Sequence, residues 1–315
     1  MKKSNLTLIL LFFLILPNLA EAQRWKRFRK QVLFGAGATN FLGELGGGNN
    51  LAQPGPLDLN FAATRPTLTV GYRYQLSNAF FFRSNLSWGI LRGDDRYTEE
   101  PFRRGRNLRF RSGFLELSAV SEFYVLQNSR GSLYNLRGVR SRRSLEIDIY
   151  FFAGLGVMYF NPKGKYDGKW IPLQPLGTEG QGLPGEPKKY SRFTFTVPHG
   201  VGIGKTIDRF WQINLEFNMR WTFTDYIDDV STEYYGRDRL QQAKLANGAS
   251  AGEAERAAYL SDPNIYYQIP EIGTPRSNQL IGEKRGNPND NDYFFSAMIT
   301  VSRKIVRRNR VRPRF

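Results

Sequence analysis

Residues 211–224 read WQINLEFNMRWTFT. The odd positions Trp211, Ile213, Leu215, Phe217, Met219, Trp221 and Phe223 are all large and apolar, and the even positions Gln212, Asn214, Glu216, Asn218, Arg220, Thr222 and Thr224 are all polar. Successive side chains of a strand point to opposite faces, so this alternation predicts a strand with one oily and one polar side. The run is longer than an ordinary globular strand of about five or six residues. It suits a strand crossing a bilayer at a tilt, which needs about 9 to 11 residues in the hydrocarbon. Tryptophans toward both ends suit a lipid-facing row anchored at two interfaces. A half-buried sandwich strand is the competing reading, and the other strands decide between them.

The pattern recurs along the chain. Residues 67–76 set Leu68, Val70, Tyr72 and Tyr74 against Thr69 and Arg73, and 79–91 set Phe80, Phe82, Leu86 and Trp88 against Arg83, Asn85 and Ser87. Further strands are predicted over 107–126, 145–160, 190–205 and 292–302, with a weakly alternating first strand over 31–42. Pro198 has no N–H for the ladder, so a bulge or interruption is expected there. The polar faces bring Arg73, Arg83, Glu116, Glu122, Glu216 and Arg220 into one interior, where opposite charges pair and fill the lumen. The fold class is therefore all-β: an eight-stranded antiparallel transmembrane β-barrel, closed because hydrocarbon cannot satisfy an open sheet edge. Long loops, one of them carrying a short helix over about 238–260, complete it.

The chain of 315 residues carries a net charge of +17 and no cysteine. Absence of cysteine removes disulfide scaffolds, thiol catalysis and cysteine-based zinc sites. Lys2 and Lys3, the apolar run 6–16 and Ala20-Glu21-Ala22 have the order of a secretory signal peptide over 1–22, cut before Gln23. After it, no apolar run approaches the roughly 18 residues of a membrane-spanning helix. An exported basic chain points to an acidic protein or an anionic lipid headgroup rather than nucleic acid.

The basic residues are concentrated. Residues 23–30 carry Arg24, Lys26, Arg27, Arg29 and Lys30, the connection 127–144 carries Arg137, Arg140, Arg142 and Arg143, and the tail 303–315 carries Arg303, Lys304, Arg307, Arg308, Arg310, Arg312 and Arg314. Connections after the first, third, fifth and seventh strands are long, and those after the second and sixth are very short. In outer-membrane barrels the short turns are periplasmic. That rule puts both chain ends and the connection 127–144 in the periplasm, so the positive charge gathers on one rim; this is the candidate partner-binding surface, with segments that simply stay solvated or meet anionic lipid headgroups as the other reading.

FFAGLGVMYFNPKGKYDGKWIPLQPLGTEGQGL (151–183) resembles the PorG-like family of Bacteroidota outer-membrane barrels, associated with the type IX secretion system. NLRFRSGFLELSAVSEFYVL, YSRFTFTVPHGVGIG, TDYIDDVSTEYY and RGNPNDNDYFF are similar to that family's motifs in the same order, and FGAGATNFLGELGG extends the likeness toward the start. The resemblance implies a non-catalytic component that ties a periplasmic ring of PorK-type lipoprotein and PorN-type partner to the outer membrane, in a system of protein secretion and gliding motility. A small outer-membrane pore or barrel enzyme is the alternative, and a soluble lipocalin-like barrel would invert the pattern.

Little in the sequence suggests catalysis. The single histidine, His199, follows Pro198 in a strand and reads as structural. Asp225, Asp228 and Asp229 offer oxygen ligands of the kind calcium takes, without the spacing of an EF-hand loop, and loop packing is the other reading. The glycine runs lack the Lys-Ser/Thr ending of a phosphate loop. No cofactor, metal or catalytic group is expected. WIPLQPLGTEGQGL (170–183) is expected to form an ordered outer loop over the barrel mouth.

Overall fold

The computed structural model describes residues 29–43, 45, 61–97, 101–127, 147–208, 210–264 and 281–305. Among the described residues nine strands form: β1 (Lys30–Leu42), β2 (Arg65–Gln75), β3 (Phe80–Asp94), β4 (Arg109–Leu126), β5 (Asp148–Tyr166), β6 (Lys169–Pro172), β7 (Phe193–Thr206), β8 (Trp211–Thr222) and β9 (Tyr293–Ile305). Eight of them close into an antiparallel ring in the order β1-β2-β3-β4-β5-β7-β8-β9, with β9 pairing back onto β1 from Lys30↔Ile305 to Leu42↔Tyr293. Closure leaves the ring without an edge. β6 lies outside it, as a short flap on the far end of β5.

The alternation in 211–224 decides the wall as expected. In β8 every odd residue is at least partly exposed and every even residue is buried. The same holds around the ring, where Leu117, Leu155 and Phe195 leave 63%, 70% and 66% of their surfaces on the outside. An apolar wall surrounding a polar, filled interior is the architecture of outer-membrane barrels and the inverse of a lipocalin. At Pro198 the β5–β7 ladder pauses between Ala153↔His199 and Gly156↔Thr196 and resumes in the same register, an interruption without a bulge.

Several boundaries differ from expectation. β9 continues to Ile305, so Arg303 and Lys304 belong to a strand rather than to a tail, because Val32 of β1 and Trp211 of β8 both still pair with Arg303. β1 likewise begins at Lys30 rather than after it. β5 runs on to Tyr166 and turns through Asp167 and Gly168, both at positive φ, into β6, where a loop was expected. The single helix expected over 238–260 is two helices, α2 (Arg237–Ala246) and α3 (Ala251–Ser261), after a short α1 (Pro101–Arg106). Gly248, at φ +84°, ends the first, and the Ser250 hydroxyl caps the second by accepting from the Glu253 N–H.

The strand directions put the turn 76–79, the β7-to-β8 turn, the start of β1, the end of β9, the end of β4 and the start of β5 at one rim, here called the inner rim. The ends of β1, β3, β5 and β8 lie at the outer rim. The expected signal peptide, most of 23–30, the connection 128–146 and 306–315 lie outside the described residues.

Candidate functional site

Between the rims, inward side chains fill the barrel. The Arg73 Nε lies 2.9 Å from Glu122 Oε2, and Arg83 Nε lies 3.0 Å from Glu122 Oε1. Arg83 donates to both oxygens of Glu216, at 2.6 and 3.1 Å, and the Tyr150 hydroxyl donates to Glu216 at 2.6 Å. Farther along, Arg220 pairs with Glu116, which also accepts from the Thr196 hydroxyl at 3.3 Å, and Arg220 donates to Ser296 at 2.8 Å. Three arginines and three glutamates, all buried, thus neutralise one another. Such pairing offsets the cost of removing ions from water, and the paired side chains fill this layer of the lumen.

Glycine makes room for the pairing. A Cβ on Gly202 of β7 would lie 2.1 Å from the Tyr150 ring, so this large inward ring fits only opposite a residue without a side chain. Phe81, Tyr124, Tyr150 and Phe152 pack together toward the inner rim.

Toward the outer rim the filling turns apolar. Inward Phe41, Phe110, Phe114, Met158, Phe160 and Phe294 form a core with Leu45, Leu91, Leu108, Ile227 and Val230. Ile227 and Val230 come from the loop after β8 and are fully buried in the mouth. Backbone bonds fix them there: the Ile227 N–H donates to Asp292 at 2.8 Å, and Asp228 accepts from the N–H groups of Val230 at 3.0 Å and Leu45 at 3.2 Å. A cap covers this plug. In it, Arg285 donates to Glu179 at 2.8 Å and to the Asp229 carbonyl. Glu179 also accepts from the Ser231 N–H and the Thr232 hydroxyl, and Asp229 accepts from the hydroxyls of Thr178 and Tyr190. Burial pushes the Asp229 carboxyl up to about 6, against the pull of Arg285 and the two hydroxyls. Leu173, Leu176 and Leu183 of 170–183 pack on Leu240, Ala257 and Leu260, so this stretch is an ordered part of the cap as expected.

The calcium reading of Asp225, Asp228 and Asp229 is not supported: Asp228 and Asp229 are engaged with backbone, hydroxyl and guanidinium donors, and no group of three metal-binding side chains converges among the described residues. His199 faces outward, with Nδ1 3.0 Å from the Val197 carbonyl and its ring 4.6 Å from that of Trp221.

Four of the sixteen expected partner-binding residues are described. They gather at the inner rim and point differently. Lys30 is exposed on the outer wall, the Arg29 guanidinium donates to the Tyr74 hydroxyl at 3.2 Å, and Arg303 lies over the Trp211 ring at 5.3 Å. Lys304, at the inner-rim end of β9, is on its inward side and half-buried. Arg303 is thus committed to an aromatic neighbour and Lys304 to the lumen side, because both are strand residues. The others (Arg24, Lys26, Arg27, Arg137, Arg140, Arg142, Arg143, Arg307, Arg308, Arg310, Arg312 and Arg314) lie outside the described residues. The cap arginines Arg106 and Arg285 went unnoticed in the sequence, where they are two cations in polar loops. Arg106 meets Asp95 at 2.8 and 3.0 Å and donates to the Arg285 carbonyl at 3.3 Å.

Several solved structures are similar to this chain at low identity. Ail, the attachment invasion locus protein of Yersinia pestis, is 7% identical, with 89% of this chain and 99% of that chain covered and a TM-score of 0.36. Neisserial surface protein A is 8% identical over 88% and 97%, with a TM-score of 0.38. OprG of Pseudomonas aeruginosa is 9% identical over 89% and 98%, with a TM-score of 0.35. No curated protein matches the chain. A family model described as Domain of unknown function (DUF6089) matches residues 5–250, and the chain belongs to that family.

Proposed function

We propose that this protein is a non-catalytic outer-membrane barrel that anchors a periplasmic assembly through its basic inner rim, as the resemblance to PorG-like components of the type IX secretion system implies. The observation that carries the reading is topological. Both ends of the described barrel, the end of β4 and the start of β5 meet at one rim, and the segments that leave there hold most of the clustered arginines. A PorK/PorN-type ring with an acidic face fits that rim, by long-range attraction that steers docking and shape that fixes it. Outer-membrane lipid surrounds the wall. Filled by ion pairs and closed by an apolar plug, the barrel disfavours the pore alternative, and an outward His199 held against Trp221 disfavours the enzyme.

Detergent co-purification of the full chain with its periplasmic partners, at low and high salt, tests this. We expect association that weakens with salt and falls when residues 306–315 are deleted. Equal recovery under all conditions would remove the docking role.

A further inference from the structure

At the outer ends of β3, β4 and β5, Arg92, Arg111 and Lys163 stand directly opposite one another, Arg92↔Arg111 and Arg111↔Lys163, all on the outward face. The next outward row holds Asp94↔Arg109, with Lys165 on β5 beside Trp170 of β6. Asp94 is the sole carboxylate on the outward face of these three strands. It is shared between Arg96 at 2.7 Å, Arg92 at 3.3 Å and Arg109 at 3.8 Å. Among the described residues, the cations of Arg111 and Lys163 therefore have no carboxylate of their own on this face. Like charges directly across a ladder, about 5 Å apart, destabilise a sheet unless an anion lies between them.

The same strands carry apolar wall below the cations. Leu117, Ala119, Leu155, Val157, Phe195 and Phe223 line a groove of about 610 Å³. Leu117 lies six positions along its strand from Arg111, and Val157 six from Lys163. That is roughly 20 Å of strand, and at a tilt near 45° roughly 14 Å of depth, close to half of a bilayer core of about 30 Å. A charged head placed on the cations would thus send its acyl chains down the groove within one leaflet. Tyr159, just below Lys163, and Trp170 above it are aromatics of the kind that mark an interface.

We infer that the outer ends of β3, β4 and β5 form a binding site for a phosphorylated glycolipid of the outer leaflet, its phosphate bridging Arg92, Arg111 and Lys163 and its acyl chains in the groove below. Guanidinium and ammonium groups donate charge-assisted hydrogen bonds to phosphate oxygens, and the bound anion relieves the repulsion between the three strands. The site is separate from the inner rim and stands whether or not the rim docks a ring.

The test uses the full chain purified in detergent and titrated with a diphosphorylated glycolipid, the same lipid stripped of phosphate, and inorganic pyrophosphate. Binding is read as retained lipid by native mass spectrometry and as a shift in melting temperature. The phosphorylated lipid should bind at least roughly tenfold more tightly than the stripped one, and the R111E/K163E variant should lose roughly a further tenfold per lost contact. K205E, the same charge reversal at the other end of the wall, should bind as the parent chain does. If R111E/K163E does not fold, R111Q/K163Q carries the comparison. Equal binding of both lipids, or unchanged binding by the double variants, would overturn the site. Pyrophosphate binding as tightly as the lipid would overturn the lipid assignment.

Discussion

Arg83 of β3 and Glu216 of β8 meet in a two-point contact inside the barrel, at 2.6 and 3.1 Å, across 133 residues of chain. Neither has water to fall back on, and each also touches a second partner, Arg83 through Glu122 and Glu216 through Tyr150. Glu216→Ala would leave Arg83 buried beside a neutral gap, and we expect a loss of about 3–5 kcal/mol in urea unfolding of the refolded barrel. Replacing both residues with leucine should cost much less than the single change. A Glu216→Ala variant within about 1 kcal/mol of the parent would show that the lumen is solvated rather than packed.

Gly202 tests the fit of that layer. Gly202→Val should destabilise by about 1–3 kcal/mol or more through collision with Tyr150. In a double-mutant cycle with Tyr150→Ala the two changes should couple, because the smaller residue vacates the contested space. Simple additivity would contradict the contact.

The mouth should respond to its plug. Ile227→Ala removes a fully buried side chain from the apolar core, and we expect about 2–5 kcal/mol of destabilisation with faster proteolysis of the cap. The ion-paired layer is untouched, so planar bilayers should record no new steady conductance. A stable open channel would mean that the ion pairs do not close the lumen.

Asp229 gives the cap a pH dependence. Its folded carboxyl is raised to about 6, above its ordinary value, so the folded state holds the proton more tightly and this group's contribution is lost as pH rises from about 4 through 6. Asp229→Asn keeps an acceptor and tolerates the positive φ of 69° at that position. The melting temperature of D229N relative to the parent should rise between pH 4 and 7 and then level off. A difference independent of pH would contradict the raised carboxyl.

Much of the barrel was legible in the sequence because period-2 alternation records which face meets lipid. Trp211 to Phe223 fixed the outward row, and the opposite parity of Arg73, Arg83, Glu116, Glu122, Glu216 and Arg220 foretold the ion-paired lumen. The extensions of β5 to Tyr166 and of β9 to Ile305 escaped, since beyond the bilayer both faces of a strand can be polar and alternation stops reporting. The cap was hidden for a different reason. Arg285, Glu179 and Asp229 lie far apart in the chain and meet only through loop folding, which no local period records. The cation row escaped because cross-strand register, rather than sequence spacing, brings Arg92, Arg111 and Lys163 together.

Orientation is the claim on which the anchoring role turns, and the absence of cysteine makes it directly measurable. Single cysteines at Ser77, in the inner-rim turn, and at Ala246, the exposed last residue of α2 in the cap, would each be the sole thiol. In intact cells a membrane-impermeant maleimide should label Ala246→Cys and leave Ser77→Cys unlabelled until the outer membrane is permeabilised. Labelling of Ser77→Cys in intact cells, with Ala246→Cys protected, would place the basic rim outside the cell and contradict the account.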